Sequence, residues 1–89
     1  METQKQNQIL EAERLTDAAS LILWNDDVNT FDHVIDCLVS ICDHTTTQAE
    51  QCAHIVHYNG KCVVKEGSKE KLEPLLVALQ QQKLTAEIK

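Results

Sequence analysis

Residues 21–38, LILWNDDVNTFDHVIDCL, change their pattern halfway along. Leu21–Trp24 is an unbroken apolar run, too short for a helix, which reads as part of a buried strand, SLILWN. Asn25, Asp26 and Asp27 follow at once, the densest polar triplet in the chain. Asn29 can cap a helix, with Asp32 three residues on to complete an approximate capping box. Phe31, Val34, Ile35, Leu38, Val39 and Cys42 then recur at helical spacing and predict one apolar stripe through about residue 43. A buried strand thus empties through a polar turn into an amphipathic helix. The triplet suits that turn and the positive end of the helix dipole. It is also a set of acceptors suited to something positively charged.

The segment TTTQAEQCAHIVH, residues 45–57, predicts a second helix. Thr45 with Gln48 matches a capping box, and Ala49, Cys52, Ala53 and Val56 share one face. Asn59–Gly60 supplies the left-handed residues that end helices. KCVVK, 61–65, reads as a short strand. Ser68 caps a third helix carrying Leu72, Leu75, Leu76 and Leu79. Pro74 is expected to kink that helix or mark a later start. LTAEI, 84–88, alternates as a half-buried strand. Residues 1–18 are polar, rich in Gln and Glu, and are expected to form a mobile N-terminal tail before a domain at 19–89. The order β-α-α-β-α-β implies an α+β two-layer domain, a three-stranded antiparallel sheet packed by three helices.

Eighty-nine residues are enough for one small core. Eight basic against 14 acidic residues give a net charge of -6, and only Trp24, Phe31 and Tyr58 are aromatic. That balance lacks the basic footprint of a nucleic-acid binder, and the apolar runs are too short to cross a bilayer. METQKQNQIL does not have the layout of a secretory signal, so a cytoplasmic monomer is expected. In that compartment the four cysteines are expected as free, buried thiols. A metal module built on Cys52, His54 and His57 is the rival reading. Against it, Cys37 and Cys42 point roughly 140° apart on a helix, and Cys52 and His54 are nearly opposed, whereas ligands must converge. An enzyme would use Asp26 or Asp27 with His57, but the chain offers no evident nucleophile: Ser40 lies within a helix.

WNDDVNTFD, 24–32, together with VHYNGK, 56–61, resembles the ClpS adaptor family, whose hallmarks are an Asn-Asp-Asp step after the first strand and a Val-His-Tyr-x-Gly-Lys-like segment after the second helix. The separation of the two motifs matches, and the resemblance spans roughly residues 19–89. It implies an adaptor without catalysis or cofactor. Such proteins bind N-degron substrates, those beginning with Leu, Phe, Tyr or Trp, and deliver them to a ClpA- or ClpC-type AAA+ unfoldase for degradation by ClpP. By position, Asn25, Asp26 and His57 would surround the substrate's α-amino group. Asp27, Asn29, Phe31, Val34, Ala53, Val56 and Leu84 would line or rim the side-chain pocket, and Glu70 would contact the unfoldase. Ala53 and Phe31 stand where the family usually has Met; Val28, Asn29 and Thr30 replace Tyr-Thr-Pro; Leu75 stands where some members have a basic residue.

The chemistry agrees with those roles. A free N-terminus, with a pKa of about 7.7–8.0, is mostly a cation carrying three donors. An amide oxygen, a carboxylate and a neutral imidazole nitrogen can each accept one. Protonated, His57 would turn from acceptor into repelling charge, so binding is expected to weaken below about pH 6.

Overall fold

The strand β1, Ala18–Trp24, is the middle of a three-stranded antiparallel sheet in the order β2-β1-β3, flanked by β2 (Lys61–Ser68) and β3 (Thr85–Ile88). The structure is a computed structural model and describes residues 18–89. The central position explains why the apolar run shows no alternation. Leu21 and Leu23, 0% and 1% exposed, belong to the main core, while Ile22 between them is 7% exposed and, by the two-residue period of a strand, lies on the opposite face. The β1–β2 register shifts between Leu21 and Ile22, which pair with Lys65 and Val63, so Val64 is the extra residue of a bulge.

Three helices, α1 (Phe31–Cys42), α2 (Thr46–Asn59) and α3 (Lys69–Gln81), complete the expected β-α-α-β-α-β order. Leu38, Cys42, Ala49, Val56, Leu72 and Leu79 join Leu21 and Leu23 in one core. The capping chemistry of α2 and α3 is as anticipated. Thr45 and Gln48 form a reciprocal capping box, Ser68 accepts from the Lys71 amide, and Gly60 ends α2 at φ 90°, in the left-handed region.

Some expectations need correction. The cap of α1 is Thr30, whose hydroxyl accepts from the His33 amide at 3.1 Å; Asn29 is engaged elsewhere. The buried stripe of α1 includes Cys37, whereas Val39 is 38% exposed, so the helix is turned from its expected setting. α3 neither starts late nor breaks at Pro74. The donor that Pro74 lacks would have met the carbonyl of Glu70, an exposed residue where water can substitute. β2 runs on to Ser68, and β3 begins at Thr85, one residue after the buried Leu84. The expected tail lies outside the described residues apart from Ala18, which opens β1.

Thr30→Ala is expected to lower stability by about 1 kcal/mol through the lost cap, and Leu38→Ala by about 2–5 kcal/mol through the cavity it leaves. Urea denaturation measures both. A Thr30→Ala chain as stable as its parent would remove Thr30 as the cap.

Candidate functional site: a pocket between the first turn and the end of the second helix

The polar triplet leaves β1 directly beside the end of α2. The Asn25 amide donates to the Gly60 carbonyl at 2.8 Å, one step beyond the last β1–β2 pair, Trp24 with Lys61. His57, in the last turn of α2, is thereby brought to the same place as Asn25 and Asp26.

Asp26 organises the turn that follows. Its Oδ1 accepts from the amides of Val28 and Asn29, both at 2.9 Å, and its Oδ2 accepts from the Asn29 side chain at 2.8 Å. Partial burial by itself pushes the carboxyl upward. The Asn29 and Val28 hydrogen bonds, with His33 nearby, outweigh that and hold it below the usual aspartate value, so it stays an anion. Three donors leave little of its acceptor capacity unused. Asn29 passes the constraint on: its Nδ2 also donates to the carbonyl of Lys83 at 2.9 Å, and His33 Nε2 lies 2.9 Å from the carbonyl of Gln82. Lys83 has φ 70°, the left-handed conformation of a tight turn leading to Leu84.

Between these elements lies a pocket of about 360 Å³, a size that takes a small ligand. Asn25, Asp26, Asp27 and Asn29 line it from the turn, Phe31 and Val34 from α1, and Ala53, Val56 and His57 from α2. Leu84 lines an adjoining recess of about 20 Å³ that shares Asn25, Asp26, Asn29, Val34 and Val56 with the pocket. Among the described residues, the turn side is therefore polar, with two carboxylates and no Lys or Arg, and the helix side is apolar apart from His57. Thr30 is a wall residue that sequence reasoning missed; its cap-forming hydroxyl next to Asn29 was the available signal. His54 was passed over as a neighbour of this site. The Phe31 ring lies 5.2 Å from both the His54 and His57 rings.

Glu70 sits apart, in the first turn of α3, in an open groove with Ser68, Lys69 and Glu73 that shares no lining residue with the pocket. The cysteines are free thiols: Cys37 and Cys42 are buried, Cys52 and Cys62 half-buried. Burial pushes Cys42 up to about 11 and, with the Cys52 thiol alongside, Cys62 up to about 12. Cys52 thus faces the Cys62 thiol, whereas His54 and His57 face Phe31. Among the described residues no three His, Cys, Asp or Glu side chains are grouped to hold a metal ion. Among the described residues no Ser or Cys lines the pocket, and the Thr30 hydroxyl accepts the cap bond of α1. No described helix is long and apolar enough to cross a membrane.

Residues 15–87 match the family model described as ATP-dependent Clp protease adaptor protein ClpS. Curated proteins named ATP-dependent Clp protease adapter protein ClpS are similar to the chain. The Synechocystis protein is 38% identical over 66 residues, covering 73% of this chain and 67% of that one. The Thermosynechococcus vestitus protein is 41% identical over 54 residues, covering 60% of this chain. The chain spans 57% of the length of that relative. The solved structure of Agrobacterium tumefaciens ClpS2 bound to L-phenylalaninamide shares the fold, with a TM-score of 0.77 at 18% identity over 82% of this chain and 95% of that chain.

Asp26→Ala is expected to cost about 1–2 kcal/mol, since it releases three donors at a partly solvated site. The carboxyl is depressed in the folded chain, so its contribution is present above the ordinary aspartate value of 3.8 and is lost as pH falls through the folded-state value. Parent and variant stabilities, measured by denaturation across pH, should converge in strong acid. A gap that persists there would contradict the anionic turn anchor.

Proposed function

We propose that this chain, which belongs to the ClpS family of Clp protease adaptor proteins, uses the pocket to hold the free α-amino group and apolar first side chain of N-degron substrates. It then delivers them to a ClpA- or ClpC-type AAA+ unfoldase, with ClpP, in the cytoplasm. The observation that carries this reading is the Asn25–Gly60 hydrogen bond, which sets an amide, two carboxylates and an imidazole on one rim of an apolar hollow.

An α-ammonium needs acceptors and negative charge, and the rim has both. Asn25 and His57 are its direct acceptors, with Asp27 beside them. Asp26, largely committed to its own turn, contributes its charge and its remaining lone pair. Hydrogen bonds to a charged donor are roughly twice as strong as neutral ones. The hollow formed by Phe31, Val34, Ala53 and Val56, with Leu84 in the adjoining recess, adds on the order of 1.5–3 kcal/mol for a fully buried Leu or Phe side chain. A charged first residue would shed its water there without a partner. Selectivity follows from two demands made together, a free amine and an apolar side chain. L-phenylalaninamide, the ligand of the Agrobacterium relative, has both features.

Ala53 is small, and Phe31 leans toward the His54 and His57 rings, so the pocket keeps room for a β-branched first residue as well. Glu70 and its groove on α3 serve as the contact for the unfoldase, away from the bound substrate.

Fluorescence anisotropy with short peptides tests the clamp. Free Phe and Leu termini should bind, with Ile within roughly tenfold of Leu, a gap of about 1.4 kcal/mol. An Arg terminus should bind poorly. Acetylating Phe should cost at least about 1.5–3 kcal/mol, roughly 10- to 100-fold, and equal affinity for the acetylated peptide would refute the amine clamp. Glu70→Lys should leave peptide affinity intact while reducing capture of the unfoldase.

A further inference from the structure

Four rings run outward from the pocket, Phe31 at the start of α1 and His54, His57 and Tyr58 along one face of α2. Phe31 and His57 belong to the pocket wall. The His54 ring lies 5.2 Å from Phe31 and is parallel to Tyr58, at an interplanar angle of 1° and a centroid separation of 6.0 Å. Tyr58 in turn meets His57 edge-on at 5.0 Å. The outer pair, one turn apart on α2, is not part of the core: His54 is exposed and Tyr58 is 76% exposed, in a chain with only three Phe, Trp or Tyr residues. Aromatic rings held in order but left in water are surface prepared for contact.

Resting on the amine-clamp reading, we propose that His54 and Tyr58 form a ledge for the second side chain of the bound terminus and select planar, aromatic residues there. Consecutive α-carbons lie about 3.8 Å apart. On the proposed route, with the amine against Asn25 and His57 and the first side chain in the hollow, the next residue leaves over the rim of α2, the side of the pocket that carries His57. Its side chain then comes within reach of rings that themselves touch Phe31 and His57. The ledge presents flat ring faces with polar edges, the imidazole of His54 parallel to the phenol of Tyr58. A second aromatic ring can stack there, whereas glycine offers nothing to bind.

The test compares unlabelled Phe-Trp and Phe-Gly peptides of otherwise identical sequence, as competitors in the anisotropy assay, on the full chain. The Phe-Trp peptide should bind roughly three- to tenfold more tightly, the range expected of one aromatic pair. That ratio should fall toward one in His54→Ala or Tyr58→Ala, survive in Tyr58→Phe, and be unchanged in Val77→Ala, an exposed site on α3. Loss in either alanine variant supports the ledge. A ratio of one in the parent, or a ratio retained in both alanine variants, overturns it. If Phe-Gly binds with free but not acetylated amine while the ratio is one, only the ledge fails; if neither peptide binds, the clamp and the ledge fall together.

Discussion

The pocket depends on a backbone hydrogen bond, from the Asn25 amide to the Gly60 carbonyl. It requires that β1 end where β2 begins and that α2 stop in a left-handed residue, and Gly60 at φ 90° meets the second condition without steric cost. Once these hold, Asp26 is the next residue on one side and His57 lies one turn back on the other. The polar groups of the rim are thus brought together by strand pairing and a helix stop, and not by attraction among themselves. That bond fixes where the two segments meet, and the side chains of Asp26 and Asn29 then fix the turn itself.

A second constraint follows from the first. A turn carrying three consecutive polar residues has amides to satisfy, and Asp26 satisfies two of them along with the Asn29 side chain. Asn29 then reaches Lys83 and ties the turn to the α3–β3 junction, which presents Leu84. The carboxylate that shapes the turn is also kept ionised by the donors it holds. Turn anchoring and negative potential are one property, and a small domain has few residues with which to separate them. The modest reading of the polar triplet, turn formers before a helix, is correct and is the condition for the other.

How far this was legible depends on whether each signal is local. The Thr45–Gln48 box, the Ser68 cap and the Gly60 stop involve neighbours in sequence, and all three stand where the pattern put them. Asn29 against Thr30 was not decidable locally, since both are capping residues; the choice was made by Asp26 and Lys83, which claim the Asn29 side chain. The setting of α1, with Cys37 inward and Val39 outward, depends on how α1 crosses its neighbours, which spacing does not encode. Periodicity alone reads Phe31, Val34 and Val56 as core; the family pattern singled them out as pocket. Thr30 carried only its capping chemistry as a signal, and His54 carried none for this site; the packing of α1 against α2 shows what His54 adjoins.

The hollow can persist in so small a domain because of where it opens. An enclosed void of this size would cost stability in proportion to its volume, but this one faces water between a turn and two helix ends. Its walls have uneven fates: Ala53 and Val56 are buried beneath it, whereas Phe31, 37% exposed, leans against the imidazoles of His54 and His57. Those two ring contacts hold Phe31 at the rim, where it flanks the opening without filling it. The aromatic cluster at the rim and the open space below it therefore support each other.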